Sequence, residues 1–328
     1  GDHPATALAI AQELGLAGTV LSGSDIDALP DAELRRLAEQ VAVFARVTPE
    51  HKVRLVQALR ANGHVVAMTG DGVNDAPALK HADIGVAMGI SGTAVTREAA
   101  SMVLTDDNFA SIVNAVREGR TIYDNIVKFV RFQLSTNIGA ILSVLGASLL
   151  GLPAPFSAIQ LLWINIIMDG PPAMTLGLDP ARSGIMHEPP RKRDSGILSW
   201  RRFGRLLLYG ITMAAGTLGL FAHAQYSGLG HAYAHTLAFT GFVLFQFFNI
   251  FNARVEHGSA LGRHCWRNGK LWGALLAVLL LQLLVVQWTP AQKLFGTTGL
   301  RAADWALAVA VASSVLLLDE ARKLLRRL

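Results

Sequence analysis

The chain has one cysteine, Cys265, in 328 residues. That excludes an internal disulfide and any metal site built on paired cysteines. Charge is also scarce, at 16% of residues against 52% hydrophobic, a balance unusual for a soluble enzyme. The scarcity is uneven: residues 1–130 mix charges with short apolar runs, whereas residues 133–318 hold several apolar runs close to bilayer length. Length alone suggests roughly two domains, and the hydropathy shift makes their boundary a soluble-to-membrane boundary. The formal net charge of +5 does not signal a nucleic-acid partner, because the basic residues gather in particular loops and tails. No secretory signal is recognisable, and residue 1 reads as lying inside a domain.

The charged part alternates helix and strand. Helices are expected over Pro4–Leu14, Pro30–Gln40, Pro49–Ala61 and Thr93–Ala99, with a further one from Ser111. Strands are expected over Thr19–Leu21, Val41–Ala45, His64–Met68, Ile84–Met88 and Met102–Leu104. Such alternation gives a parallel sheet with helices on both faces, an α/β architecture suited to nucleotides or phosphates. The rest of the chain is organised around Met68–Leu79, MTGDGVNDAPAL. Here a strand runs into a turn holding Asp71, Asn74 and Asp75, and Pro77 then opens a helix, where its missing N–H costs nothing. Ligands of open α/β sheets bind at such strand ends. Two neighbouring carboxylates suit Mg²⁺, which takes one or two of them together with phosphate oxygens. The plainer alternative is a polar loop with Asp75 as N-cap. Asp106, Asp107 and Asn108 read as a helix cap, and Ser91-Gly92-Thr93 as a turn with some capacity to cradle an anion.

Together with FARVTPEHK (Phe44–Lys52) and QLLWINIIMDGPPA (Gln160–Ala173), TGDGVNDAPAL resembles the P-type cation-transporting ATPases. The likeness is greatest to the calcium-pumping branch in its Golgi-type and plasma-membrane-type forms. It implies a haloacid-dehalogenase-like α/β phosphorylation-domain part over residues 1–110, a stalk helix over 111–132 and an all-α transmembrane bundle over 133–328. It also implies ATP and Mg²⁺ as cofactors and an aspartyl-phosphate cycle. Asp71 would ligate Mg²⁺, Asn74 would contact phosphate or nucleotide, and Asp75 would order the loop, with Thr69 and Gly70 in the same cofactor-binding turn. Lys52 would neutralise the phosphoryl group, Arg46 would contact nucleotide, and Gly1-Asp2 would end a loop near it. The Asp-Lys-Thr-Gly run that bears the phosphorylated aspartate does not occur, nor do the actuator domain, the nucleotide domain and the first four membrane helices. Covalent phosphoryl catalysis needs that nucleophile. The chain by itself is therefore expected to be inactive, with the N-terminal half of the same pump as its partner.

Six membrane segments are expected, over 133–150, 158–175, 203–223, 237–252, 271–288 and 302–318. Basic clusters at Arg182–Arg205, Arg254–Lys270 and Arg322–Arg327 fall on alternate loops. By the positive-inside rule they put the soluble part and the C-terminus in the cytoplasm, as in a multi-pass protein of the plasma (inner) membrane if prokaryotic. The last ten residues, DEARKLLRRL, read as an amphipathic lipid-facing tail. Helix 111–150 reads as continuous.

Asp169 lies eleven residues into the second segment, near mid-membrane. A carboxylate there costs ~2.5–3.5 kcal/mol even on lenient scales and marks function. Asn165 is one turn earlier on the same face, and Gly170-Pro171-Pro172 breaks the helix and frees carbonyls. That oxygen-rich set suits Ca²⁺ or Mn²⁺ and not soft metals; a satisfied structural aspartate is the alternative. The resemblance adds Asn137 as an amide ligand. Ala140, Met168 and Gln246 stand where two-ion calcium pumps carry a glutamate, a threonine and an acid, which implies one ion per cycle. Gln246, a weaker candidate ligand, and Asn249 read equally as interhelical hydrogen-bond partners. His223, His231 and His235 cluster near the outer face and could bind a transition metal, but histidines in loops and at interfaces are more often solvated. A pump for Na⁺ or Mg²⁺ and a non-catalytic membrane scaffold are the remaining alternatives. Heavy-metal transport is disfavoured because no Cys-Pro-Cys run occurs.

Overall fold

The computed structural model describes residues 3–16, 18–191, 196–256 and 258–325, and for residues 168, 169, 263 and 264 the backbone alone. The expected nucleotide contacts Gly1 and Asp2 thus lie outside the described residues. Contacts group the chain into two units, Gly1–Val116 with Pro189–Ser195, and Arg117–Glu188 with Gly196–Leu328.

The first unit is α/β. In order it contains α1 (Pro4–Glu13), β1 (Thr19–Ser22), α2 (Gly23–Ala28), α3 (Asp31–Leu37), β2 (Val41–Ala45), α4 (Pro49–Ala61), β3 (Ala67–Gly70), α5 (Ala76–His81), β4 (Ile84–Met88), α6 (Ala94–Ala99) and β5 (Met102–Leu104). Every strand pairing is parallel, as the alternation requires. The strands form two sheets, β1-β2 and β3-β4-β5, where a single one was expected. Central β4 buries Val86 and Ala87 completely. Ile26, Leu34, Ala38, Leu55 and Ala58 close a core between α2, α3 and α4.

Two local expectations are corrected. The strand expected at His64–Met68 begins at Ala67. The His64 N–H still bonds Leu59 O at 3.2 Å, closing α4, and the Val66 N–H is taken by the Asp83 carboxylate at 3.0 Å. Helix α2, unforeseen in a stretch rich in turn residues, is nucleated by a capping box: Ser22 N–H donates to Asp25 Oδ2 at 2.8 Å and Asp25 N–H returns to Ser22 Oγ at 3.3 Å.

The remaining elements are helical: α7 (Ala110–Leu149), α8 (Ala158–Asp169), α9 (Pro171–Leu176), α10 (Trp200–Tyr226), α11 (His231–Arg254), α12 (Gly269–Gln287), α13 (Thr289–Phe295) and α14 (Ala302–Leu325). Helix α7 is unbroken over 40 residues. Among the described residues five helices, α7, α10, α11, α12 and α14, are long and apolar enough to cross a membrane. The sixth expected segment, 158–175, is two short helices parted at Gly170. Pro171 and Pro172 have no N–H to give the carbonyls four residues back, and a Cβ at Gly170 would stand 2.5 Å from Ile166 O. Helix α11 is the hub, with α10 and α14 packed on it and Phe239, Phe242 and Phe245 fully buried along it. Of the expected amphipathic tail, residues 319–325 continue a helix, and residues 326–328 lie outside the described residues. Helix α14 runs on to Leu325, and Asp319, 0% exposed, is held by the Tyr209 hydroxyl, by Arg322 at 2.6 Å and by Lys323 at 2.8 Å.

Candidate functional site

The Met68–Leu79 motif folds as a strand-to-helix turn. After β3 the chain passes through Asp71 and Gly72 into a 3-10 turn at Val73–Asp75 and then into α5. Asp75 is 7% exposed. One of its carboxylate oxygens accepts the Lys52 ammonium and the other the Gly72 N–H at 3.3 Å. Asp75 therefore ties the loop to α4 instead of facing a ligand. Gly70 makes the closure possible: a Cβ there would come within 2.4 Å of Asp75 Cβ, closer than carbon atoms pack.

Lys52 is aimed by its helix terminus. Thr48 caps α4: its hydroxyl accepts the His51 N–H at 3.4 Å, while its own N–H donates to His51 Nδ1 at 3.1 Å. With Nδ1 accepting, the proton of a neutral ring sits on Nε2, which meets Asp27 Oδ1 at 2.7 Å. Capping and the Asp27 contact hold the buried His51 ring on both sides, so the next residue, Lys52, leaves the helix in one direction. Arg46 is exposed and follows β2 with φ of 51°, a left-handed conformation that a long side chain adopts only under constraint. Such outliers cluster at functional positions.

Asp71 and Asn74 are exposed. The backbone carbonyl of Asp71 is anchored, accepting the Thr93 N–H at 3.1 Å and the Thr96 hydroxyl at 3.4 Å. Its carboxylate and the Asn74 amide make no hydrogen bond or ion pair with any described residue. The turn thus presents one free carboxylate and one free amide beside a lysine. Among the described residues no cluster of three or more His, Cys, Asp or Glu is disposed to hold a metal by itself. A cation at Asp71 would need oxygens from a phosphorylated ligand, and Mg²⁺ binds in that way.

The suspected anion cradle at Ser91-Gly92-Thr93 is filled from within. The Asp107 carboxylate accepts the N–H groups of Gly89, Ile90 and Ser91 at 2.7, 3.0 and 2.7 Å, and the Ser91 hydroxyl at 2.8 Å. Asp106 and Asn108 do act as caps, on Ser111 and Ala110, but Asp107 does not. The amides, Ile90 and Ser91 foremost, hold Asp107 down from an ordinary 3.8 to about 2. A lowered pKa adds stability above the unfolded value and loses it as pH falls through the folded one. The loop is therefore expected to hold above about pH 4 and to open between there and pH 2. Amide exchange at Ile90 and Ser91, corrected for intrinsic rate, should be faster in Asp107→Ala at neutral pH. The two proteins should converge below pH 2; equal rates at neutral pH would contradict this account.

In the helical unit α8 ends at Asp169, whose side chain lies outside the described residues. Asn165 on α8 and Asn137 on α7 are exposed and bond no described group. Asn249 is an interhelical partner, its amide donating to Ser135 Oγ on α7 at 2.7 Å. Gln246 is not: it is 1% exposed, and neither end of its amide has a partner among the described residues. Within the expected histidine cluster, His231 and His235 meet at 2.9 Å through their Nε2 atoms.

A buried, multiply bonded carboxylate of this unit carried no signal in the sequence. Asp179 accepts Arg254 at 2.8 Å, Lys128 at 2.9 Å and Asn268 at 3.0 Å, joining α7, α11 and the start of α12 to the loop after α9. Burial opposes its ionisation, yet the Arg254 bond and the nearby Lys128 charge hold its pKa below the ordinary carboxylate value. Arg254, which the basic cluster at 254–270 places in a loop, is buried at 7% exposure.

The family model described as "Cation transporting ATPase, C-terminus" matches residues 153–325, and models for haloacid dehalogenase-like hydrolases match residues 1–83 and 52–116. The chain is 45% identical over 95% of its length to "Calcium-transporting ATPase" of Bacillus subtilis (strain 168), covering 36% of that protein. It is 43% identical over its whole length to "Calcium-transporting ATPase 1" of Schizosaccharomyces pombe, covering 38% of it. It is also 43% identical to "Calcium-transporting ATPase type 2C member 1" of Homo sapiens, again over its whole length and covering 36% of that protein. The chain thus spans little more than a third of the relatives it matches. With that match over more than half its length, and with its α/β part and apolar helices in the matching order, the chain belongs to the cation-transporting ATPases.

Proposed function

We propose that this chain supplies the ion-binding and part of the phosphoryl-handling machinery of an ATP-driven pump that exports Ca²⁺, or Mn²⁺, from the cytoplasm, one ion per cycle. The observation that carries the proposal is the interruption of an apolar helix at Asp169–Gly170. Asp169 is followed by Gly170 and then by Pro171 and Pro172, which leave the carbonyls of Ile167 and Met168 without intrahelical donors. Transporters hold ions at interrupted helices of this kind. Asp169 and Asn165 hold the ion with Asn137 assisting, all hard oxygen donors. Gln246, an amide where an acid would add charge, leaves the site with one carboxylate, which suits a single divalent ion.

In the α/β unit the free carboxylate of Asp71 fits Mg²⁺ bound with nucleotide phosphates, and Mg²⁺ there would neutralise phosphoryl charge. Asn74 contacts the phosphate or nucleotide, Asp75 keeps the loop closed, and the Lys52 ammonium offsets the charge of the transferring phosphoryl group. Thr69 and Gly70 line the same turn, and Arg46 contacts nucleotide. The aspartate that takes the phosphoryl group lies in the N-terminal half of the pump, together with the actuator and nucleotide domains. The basic loops and the α/β unit face the cytoplasm. Phosphoenzyme formed from ATP by the full-length protein tests this reading. Its level should rise with micromolar Ca²⁺ or Mn²⁺ and ignore Na⁺. A level that follows Na⁺ or Mg²⁺ alone would reject the ion assignment, and a full-length protein forming no phosphoenzyme would reject the pump.

A further inference from the structure

Within the helical unit a cavity of about 460 Å³ lies at the end of the bundle where α11 finishes and α10 and α12 begin. Its wall carries six cations, Lys128, Arg131, Arg182, Arg202, Arg254 and Arg267. Facing them are four carboxylates, Asp124, Asp179, Glu188 and Glu256. The carboxylates are already engaged: Asp179 by Arg254 and Lys128, Glu188 and Asp124 by Arg182, and Glu256 by Arg202 and, from outside the wall, Arg205. Burial opposes ionisation of Glu256, but the Arg202 and Arg205 bonds prevail and hold it at about 2. It therefore stays an anion and keeps its partners occupied.

Two cations are left over. Arg131 is 4% exposed, and among the described residues its guanidinium donates only to backbone, to Ala253 O and Asn252 O, both at 3.1 Å. Arg267 is exposed and bonds no described group. No carboxylate of the described residues lies within ion-pair distance of either. A buried guanidinium bonded to two carbonyls has no anion in contact, Glu256 and Asp319 acting on its charge only from a distance, and that is costly in a low-dielectric interior. Counted on the wall alone, six cations against four carboxylates leave an excess of two, close to the charge of a phosphate monoester, about −1.5 to −2 near neutral pH. Guanidinium forks complement phosphate oxygens in pairs.

We propose that this cavity is a binding site for a phosphate monoester, held by Arg131 from within and by Arg267 at the mouth. The site is separate from the ion-binding helix break and from the Asp71 turn. The same chemistry is offered by the headgroup of phosphatidic acid and by a soluble phosphate ester. The cavity's place among the polar ends of apolar helices leaves both within reach.

The test uses the full-length protein in phosphatidylcholine nanodiscs, without ATP or divalent cations. Dioleoylphosphatidic acid doped into the discs is compared with dioleoylphosphatidylglycerol by native mass spectrometry. Glycerol 3-phosphate binding is measured by equilibrium dialysis. Preferential retention of phosphatidic acid identifies a lipid source, and saturable glycerol 3-phosphate binding a soluble one; either supports the site when Arg131→Gln and Arg267→Gln each weaken it about tenfold. Arg131→Gln removes donors from two helix-end carbonyls and can unfold this end of the bundle. In that event exposed Arg267→Gln decides alone. Binding of neither probe, or binding that Arg267→Gln leaves unchanged, overturns the proposal.

Discussion

Asp169→Asn in the full-length protein is expected to abolish ion-dependent phosphorylation from ATP, with ion affinity falling by at least about 10²-fold. A divalent ion taken out of water is held by the sum of its oxygen donors, and on this reading Asp169 supplies the only full negative charge among them. Asparagine keeps the side-chain shape and one oxygen and removes the charge, so loss of function cannot be ascribed to a cavity. The sign of the stability change separates a ligand from a structural aspartate. An acid serving only to satisfy a neighbour would leave that neighbour unpaired when replaced, at about 1–3 kcal/mol. An acid kept for the ion lies in an apolar segment at a cost of ~2.5–3.5 kcal/mol, so its removal should hold or raise the melting temperature in the absence of ion. Titration of phosphoenzyme against Ca²⁺, with Tm measured in chelator, reads both quantities. Unchanged ion affinity would move the site elsewhere.

Lys52→Met is expected to lower kcat for ATP hydrolysis about 10²- to 10³-fold with a smaller effect on KM, as loss of one preorganised charge at a phosphoryl group does. A second effect follows from the ion pair. Asp75, 7% exposed, would keep the Gly72 N–H and lose its cation, destabilising the loop by roughly 1–3 kcal/mol. Lys52→Arg distinguishes the two roles. It restores a positive partner for Asp75 and with it the stability, yet its planar fork cannot reproduce a compact ammonium at the phosphoryl group, so turnover should stay low. Turnover within a few fold of wild type for Lys52→Met would mean that the lysine serves the loop alone.

Much of the α/β unit was legible because its signals are local. Prolines at the starts of α4 and α5, alternation of apolar runs, and Gly170-Pro171-Pro172 each act within one turn of chain. The Asp71 turn was legible as a motif, and the resemblance assigned Asp75 the ordering role, but the contact by which it orders the loop was not legible. That Asp75 faces inward to Lys52 while Asp71 and Asn74 stay free depends on a contact spanning 23 residues. The Asp107 carboxylate is drawn to amides 16 to 18 residues upstream, and nothing local distinguishes it from the capping residues Asp106 and Asn108 beside it. The Asp179 network was invisible for the same reason: Lys128 and Arg254 lie 51 and 75 residues from it. Charge alternation read Arg254 as a topological marker, whereas a buried carboxylate claims it. Helix α2 escaped notice because its Ser22–Asp25 capping pair looks like turn composition until both reciprocal bonds are counted.

The break at Gly170 also bears on biogenesis. The longer piece, α8, has 12 residues, about 18 Å of helix at ~1.5 Å per residue, well short of a ~30 Å hydrocarbon layer. A segment so short, ending on an acid, has too little apolar length to partition into lipid unaided during synthesis. Its admission must draw on the 40-residue helix α7 that precedes it, the two entering as a hairpin through the turn at 150–157. On this view the break that leaves α8 short makes it dependent on its upstream neighbour for entry to the bilayer.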